Sequence, residues 1–362
     1  MGLTVQGKNM KIAEIDKNFA VKEEKVADGV RWYTIPHPSF SLYGVFFDEK
    51  EGFLRMPKAV SSAVSPGVLW GAGCTAGGRV RFSTDSQTFV LKVSYPTLGI
   101  MSHMAIEGQG GFILLEETKR GSRLVKMMPP LPSQQNGYSM ATALKTDGKM
   151  RDYILYFPLY NEVTFLEIAL DEKAKVGKGK AYRDVKPILY YGSSITQGGC
   201  ASRPDNAYQS IISKWNNIDF INLGFSGSAK AEDTMVDYLR GIDCSVFVCD
   251  YDHNAPDEAH LERTHYRLYE RYRAVQKDTP ILFITRPDFK REEARRERII
   301  FETYERARAL GDENVYFLAG KTLFGKDKDI CTVDGCHPND LGFYRMAQKI
   351  YKKISGMDEK FR

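Results

Sequence analysis

The second half of the chain alternates short apolar runs with longer amphipathic stretches, and this alternation constrains the fold more than any other feature. The apolar runs have the length of buried strands, and the stretches between them carry apolar residues at helical spacing. Five strands separated by helices predict one parallel, doubly wound sheet. The predicted strands are Ile188–Tyr191, Phe220–Leu223, Ser245–Tyr251, Ile281–Thr285 and Val315–Leu318, and the predicted helices cover about 206–215, 229–240, 258–276, 290–310 and 339–355.

The first half has a different pattern, in which short apolar or alternating runs are separated by Gly, Pro, Asn and Ser. It shows no convincing helical periodicity, so we predict an all-β sandwich of the jelly-roll kind. The segment Leu170–Pro187 is polar and rich in lysine, and is the best linker candidate. We therefore expect a β-sandwich domain at residues 1–182 and an α/β domain at residues 183–362. The apolar runs are Arg79–Phe82, Thr88–Val93, Gly111–Glu116, Tyr153–Phe157 and Val163–Ala169.

The charge pattern does not favour nucleic acid as a partner. The 51 basic residues nearly balance the 46 acidic ones, and the net charge is +5. Clusters such as Lys290–Arg298 mix both signs, which is typical of a solvated helix face.

Targeting signals and cysteines bear on the compartment. No apolar run is long enough to span a membrane, and no signal peptide is visible in the first thirty residues. We expect a cytoplasmic protein, or an exported one if a leader has been removed. The six cysteines are too few and too scattered for a disulfide framework, so reduced thiols are expected. A local pair between Cys331 and Cys336 would require export.

The first strand of the α/β half ends in a turn that can present a nucleophile. Its sequence is Gly192-Ser193-Ser194-Ile195. A serine at this point can project its hydroxyl above the sheet edge, where helix-start amides stabilise a developing anion. The alternative is that Ser193 or Ser194 only caps the following helix.

The last helix is preceded by a possible base and its orienting carboxylate. Asp334 lies three residues before His337, so it can bond one imidazole nitrogen and leave the other to accept a serine proton. The alternative is a surface turn with an idle histidine. A metal site formed by Cys331, Cys336 and His337 lacks an evident fourth ligand and is not expected.

Two further strand ends carry possible hydrogen-bond donors. The second strand runs into a loop of small residues, 224–228, whose backbone amides are sterically free to face a ligand. The third is followed by Asn254, which can offer a side-chain amide. Taken alone, each is more typical of a turn or a helix start. His253, beside Asn254, either touches substrate or has a structural role.

In this order, the four segments resemble the four blocks that define the SGNH (GDSL-like) hydrolases. The resemblance covers about 187–356, and residues 53–57 and 77–86 resemble the β-sandwich that precedes the catalytic domain in one bacterial subgroup. Ser193 replaces the aspartate of the G-D-S-L block, and Asp252-His253 precedes Asn254 where a plain Gly-x-Asn is usual. The resemblance implies catalytic Ser194, Asp334 and His337, and oxyanion donors Ser194, Gly227 and Asn254.

The family resemblance also implies a fold and an activity. The fold would be a flavodoxin-like domain with a five-stranded parallel sheet, preceded by the β-sandwich. The activity would be that of a serine esterase working through an acyl-enzyme without metal or cofactor, with acetylated carbohydrate as one expected substrate. The alternatives are a lipase or thioesterase acting on longer acyl chains, and a carbohydrate-binding protein with an inactive hydrolase domain. A homo-oligomer is left open.

Overall fold

A computed structural model describes residues 28–287 and 294–361. The N-terminal part is built from two antiparallel sheets and a small hairpin, β3–β4. One sheet has the order β1-β11-β6-β9, and the other has the order β12-β5-β10-β7-β8 with β2 also paired to β5. The strands are β1 (Val30–Thr34), β2 (Ser41–Tyr43), β3 (Phe46–Asp48), β4 (Gly52–Leu54), β5 (Arg79–Thr84), β6 (Thr88–Ser94), β7 (Phe112–Thr118), β8 (Gly121–Met128), β9 (Gly137–Ala143), β10 (Arg151–Tyr156), β11 (Phe165–Asp171) and β12 (Val176–Gly177).

The two antiparallel sheets share a core of aromatic and branched side chains. Alternate residues of β6, such as Phe89 and Leu91, are fully buried in it. Phe82 of β5 stacks on Phe89 with ring centroids 5.9 Å apart, so the two sheets pack face to face. This arrangement confirms the predicted N-terminal β domain.

The expected absence of helices from this half is wrong. Helices α1 (Lys58–Val64) and α2 (Pro66–Gly73) occupy a region where no helix was expected, and the short helix α3 (Ile106–Gln109) follows later. Helix α2 is apolar nearly all round, so it has no polar face to reveal a helical period, although Ser65 caps it by accepting from Val68 N at 3.2 Å. The expected linker is also partly structured, because β12 adds to the sheet beside β5.

The C-terminal part is the predicted α/β domain. Its parallel sheet has the order β14-β13-β15-β16-β17, which is the flavodoxin-like order and confirms the expected fold. The strands are β13 (Ile188–Gly192), β14 (Phe220–Gly224), β15 (Val246–Asp250), β16 (Ile281–Ile284) and β17 (Val315–Leu318). The helices are α4 (Ser194–Gln197), α5 (Tyr208–Asn216), α6 (Asp233–Arg240), α7 (Glu258–Val275), α8 (Ala294–Ala309) and α9 (Asp340–Ile354). Residues 290–293 of one predicted helix lie outside the described residues.

Both faces of this sheet are covered. Along β13, Ile188 and Tyr190 enter one apolar core, whereas Leu189 and Tyr191 enter the other. A strand buried on both sides is continuously apolar, which is why the sequence pattern identified it. The chain order reverses on either side of β13, so the turn after this strand opens into the crevice where ligands of such sheets bind. None of the described helices has the length and apolarity needed to cross a bilayer.

Candidate active site

The turn after β13 leaves the Ser194 hydroxyl available. Ser193 caps α4, because its side chain accepts from Ile195 N at 3.2 Å. Ser194 is the first residue of the helix. The tight turn before it requires glycine at position 192, because a Cβ there would collide with Asp250 O and Thr196 Oγ1. The capping alternative therefore applies to Ser193 and not to Ser194.

Ser194, His337 and Asp334 form a continuous hydrogen-bonded relay. Ser194 Oγ lies 2.9 Å from His337 Nε2, and His337 Nδ1 lies 2.7 Å from Asp334 Oδ2. Asp334 Oδ1 also accepts from His337 N at 2.7 Å and from Cys336 N at 2.9 Å. The aspartate thus holds both the ring and the backbone of the histidine, and the geometry is that of an activated serine.

The charge state of Asp334 suits this position. Partial burial favours a higher pKa for the carboxyl, but the hydrogen bonds from the side chain and backbone of His337 and from Cys336 N outweigh it and hold the pKa below its usual range. The carboxylate is therefore ionised at neutral pH. An ionised acceptor at Nδ1 keeps the proton on that nitrogen and leaves Nε2 free to accept from serine.

The two predicted donor segments lie against each other. Gly227 has φ +66°, a left-handed conformation that glycine adopts readily. Two residues on, Ala229 N donates to Asn254 Oδ1 at 3.2 Å. This bond fixes the amide with its oxygen occupied, and Asn254 Nδ2 has no acceptor within the described part of the chain. The neighbouring His253 lies with Nδ1 3.8 Å from Cys336 Sγ, which brings the third and fourth segments together.

An arginine that the sequence analysis did not single out supports the loop carrying Gly227. Arg55 is 3% exposed and donates to the carbonyls of Asn222 at 3.1 Å and Gly224 at 2.7 Å, at the end of β14. It also donates to Cys74 O at 2.6 Å and to Gly71 O. Burial lowers its pKa to about 10, so it remains charged at neutral pH. One buried cation of the β domain thus satisfies carbonyls of both domains.

Two further residues join the β domain to the nucleophile. The Tyr160 hydroxyl donates to Ser194 O at 3.1 Å. Gln197, fully buried, accepts from Ser226 N at 2.9 Å and donates to Leu159 O at 3.2 Å. The β domain therefore packs directly on the nucleophile helix and the glycine loop. Arg55 lies within a stretch that resembles the family's sandwich, whereas nothing in the local sequence distinguishes Tyr160 or Gln197.

Other buried polar side chains of the α/β domain have structural partners. Asp252 pairs with Arg296 Nε at 2.8 Å, and Asp250 is buried with its Oδ2 3.4 Å from Thr196 Oγ1. His265 is buried in α7 with Nδ1 2.9 Å from Thr303 Oγ1, and burial lowers its pKa to about 3. All six cysteines are free thiols. Across residues 28–287 and 294–361, no group of three or more His, Cys, Asp or Glu side chains is arranged to hold a metal ion.

Comparisons with known proteins identify the family of each half of the chain. Residues 185–355 match the GDSL-like Lipase/Acylhydrolase family, and residues 30–176 match a domain described as the N-terminus of SGNH-hydrolase-type esterases. These two ranges flank the predicted domain boundary at 182/183, which itself stays a prediction. A search of curated proteins found no significant match.

Several solved structures are similar along most of the chain. One from Bacteroides ovatus, described as a GDSL-like lipase, is 28% identical, covers 91% of this chain and 98% of its own, and has a TM-score of 0.80. The salicylyl-acyltransferase SsfX3 of a tetracycline biosynthetic pathway is 16% identical, with 91% and 98% covered and a TM-score of 0.75. An acetyl xylan esterase from Butyrivibrio proteoclasticus is 12% identical, with 92% and 100% covered and a TM-score of 0.59. The chain belongs to the GDSL-like lipase/acylhydrolase (SGNH) family and carries an N-terminal β domain of the type found in SGNH esterases.

Proposed function

We propose that this protein is a serine carboxylesterase that hydrolyses esters of small acyl groups through an acyl-enzyme. The observation that carries the proposal is the relay from Ser194 Oγ through His337 to Asp334, with distances of 2.9 and 2.7 Å. A serine hydroxyl is a weak nucleophile until a positioned base takes its proton, and this relay supplies the base.

The acylation step follows from the positions of these groups. His337 Nε2 takes the hydroxyl proton as Ser194 Oγ forms a bond to the ester carbonyl carbon. The negative charge that develops on the carbonyl oxygen would be held by the amides of Ser194 and Gly227 and by the Asn254 side chain. His337 then gives its proton to the leaving alcohol as the ester C–O bond breaks.

Water completes the cycle by the same chemistry. His337 takes a proton from water, the hydroxide oxygen bonds to the acyl carbon, and the acyl–Oγ bond breaks as Ser194 regains its proton. The residues named here need no metal ion or organic cofactor for either step.

For the substrate, we propose acetyl esters of carbohydrates. The similar folds include an acetyl xylan esterase and several family-two carbohydrate esterases, at 11–13% identity. The β domain also supports the proposal, because it packs beside Ser194 and can extend the binding surface towards a bulky alcohol. There are two alternatives. The protein could be a lipase or thioesterase that hydrolyses esters of longer acyl chains, or a carbohydrate-binding protein with an inactive hydrolase domain.

Release of 4-nitrophenol from the acetate and octanoate esters separates these possibilities. The proposal predicts turnover of both, with a higher kcat/KM for acetate, and loss of both activities in Ser194→Ala. A preference for octanoate would support the lipase alternative. No turnover of either ester by correctly folded wild-type protein would contradict an esterase.

A further inference from the structure

A second histidine, supplied by the β domain, lies beside the histidine of the relay. The His103 and His337 ring centroids are 6.0 Å apart, and the ring planes make an angle of 53°. His103 belongs to the segment that connects β6 to α3, and its side chain is exposed. The candidate active site therefore has an imidazole that comes from outside the catalytic domain.

The segment carrying His103 is held in place on both sides. Met104, the next residue, is 6% exposed and belongs to the core cluster that also contains Ile195 of the nucleophile helix. Met101 N donates to Gln109 Oε1 at 2.8 Å, and Gly99 N donates to Asn161 Oδ1 at 2.7 Å. A segment anchored by a buried side chain and by hydrogen bonds from two of its backbone amides presents its histidine with little ordering cost on binding.

The hydrogen-bonding groups of His103 are available to a ligand. Within the described residues, no hydrogen bond or ion pair engages the ring, whose one aromatic neighbour is His337. Neutral imidazole carries one donor and one acceptor, the pair needed to bind a hydroxyl group.

The position beside His337 indicates which part of the substrate His103 meets. His337 must deliver a proton to the leaving oxygen, so this oxygen comes within about 3 Å of Nε2. The carbonyl oxygen lies elsewhere, towards the loop of Gly227 and Asn254. A ring adjacent to His337 can therefore reach atoms of the alcohol that lie a few bonds beyond the ester oxygen.

We propose that His103 binds a hydroxyl group of the leaving alcohol and so favours esters of polyhydroxylated alcohols. This proposal rests on the proposed esterase function and refines it. The β domain would then contribute directly to the choice of alcohol. The acyl group and the chemistry at Ser194 would not depend on His103.

Two acetates that give the same acetyl-enzyme test the proposal, namely glycerol monoacetate and ethyl acetate. In His103→Ala, kcat/KM for glycerol monoacetate is expected to fall about tenfold, which corresponds to one lost hydrogen bond. For ethyl acetate it should change by less than about twofold, since that alcohol has no second hydroxyl. Ser102→Ala, at an exposed position in the same segment, is the matched control and should leave both values unchanged.

Partitioning of the acetyl-enzyme gives a second readout that does not depend on the amount of active protein. With glycerol and ethanol present together as acceptors, His103→Ala should lower the ratio of glycerol acetate to ethyl acetate formed. The proposal would be overturned if His103→Ala changed kcat/KM for both acetates by the same factor and left the ratio of glycerol acetate to ethyl acetate unchanged. That result would leave the esterase function intact. If wild-type protein hydrolysed neither acetate, nor 4-nitrophenyl acetate, the proposed function would fail and the role of His103 with it.

Discussion

The Ser194 hydroxyl lies 2.9 Å from Nε2 of His337, although the two residues are 143 positions apart in the chain. Ser194 follows the end of β13, and His337 precedes the start of α9. Pro338 O accepts from Cys200 N at 3.2 Å, which ties the histidine turn to the segment after the nucleophile helix. The contact between the hydroxyl and the ring is therefore built into the packing of the domain.

Asp334→Asn should slow turnover while preserving the turn. Asparagine Oδ1 can still accept from His337 N and Cys336 N, so the fold of the turn should persist. Its NH2 group would face Nδ1 and favour the tautomer with the proton on Nε2, which cannot accept from serine. We expect kcat for 4-nitrophenyl acetate to fall about 10²–10⁴-fold with an unchanged Tm. A loss smaller than about threefold would contradict an orienting role for Asp334.

Two substitutions of Asn254 can separate its proposed role as an oxyanion donor from its role in holding the loop at Ala229. Asn254→Asp keeps an acceptor for Ala229 N but removes the NH2 group and adds a negative charge where an anion develops. We expect both Asn254→Asp and Asn254→Ala to lose about 10²–10³-fold in kcat, equivalent to about 2.7–4 kcal/mol of barrier. Only the alanine variant should also lose stability. Near wild-type kcat in the alanine variant would exclude Asn254 as a donor.

Arg55 should affect turnover as well as stability. Lysine at this position cannot reach the carbonyls of both β14 and α2. Arg55→Lys should therefore destabilise the protein by about 2 kcal/mol. It should also lower kcat about tenfold or more, with little change in KM, because the glycine loop loses its support. Arg79 is the matched control. It is also buried and joins the β domain to β14, but at the strand's other end, where it pairs with Asp219 and lies over Phe220 at 3.8 Å.

Arg79→Lys should therefore destabilise the protein without slowing turnover. Kinetics of both lysine variants at a temperature well below their Tm make the comparison. If the two substitutions lower kcat equally, the loss follows from stability, and Arg55 does not position the glycine loop.

Asp250 should make stability depend on pH. Burial, with a smaller contribution from the charge of Asp252, raises the pKa of Asp250 well above its usual range. The folded protein then keeps a proton on Asp250 that the unfolded chain loses near pH 4. The contribution of Asp250 to the free energy of unfolding is therefore greatest below about pH 4 and falls as pH rises towards the folded-state pKa. Asparagine stays neutral throughout.

Urea unfolding of wild type and Asp250→Asn measures this contribution. The variant should be more stable at about pH 8, by roughly 1 kcal/mol or more, and similar to wild type at about pH 4. Taking the difference between the two proteins removes the contributions of all other titrating groups. A difference independent of pH would mean that Asp250 is ionised in the folded state.

The strands and helices of the α/β domain could be predicted from the sequence because the patterns that identify them are local. A strand such as Ile188–Gly192, buried on both faces, is apolar throughout, and an amphipathic helix such as α9 shows a clear period. The roles expected for Ser194, Gly227, Asn254 and His337 came from the resemblance of four segments to the SGNH blocks. The parallel sheet explains why the first three segments lie close together, because parallel strands bring their carboxyl ends to one edge. Helix α2 was missed because an apolar helix has no polar face to set its period.

The contribution of the β domain could not be predicted for a different reason. Arg55, His103 and Tyr160 meet the catalytic domain only through tertiary packing, across more than a hundred positions for Arg55 and His103 and across 34 positions for Tyr160. A lone arginine or tyrosine in a β-rich segment carries no local signal of such a contact. The network around Ser194 thus depends on how the two domains pack together, which local sequence patterns do not predict.

If Ser194 is a nucleophile activated by His337, a reagent that reacts only with activated serines should label it covalently. Wild-type protein, His337→Ala and Ser194→Ala would be treated with a fluorophosphonate and digested, and the modified peptide would be identified by mass spectrometry. We expect rapid modification of Ser194 in wild type, much slower modification in His337→Ala and none in Ser194→Ala. Labelling at another serine, or equal rates with and without the His337 ring, would contradict this role of Ser194.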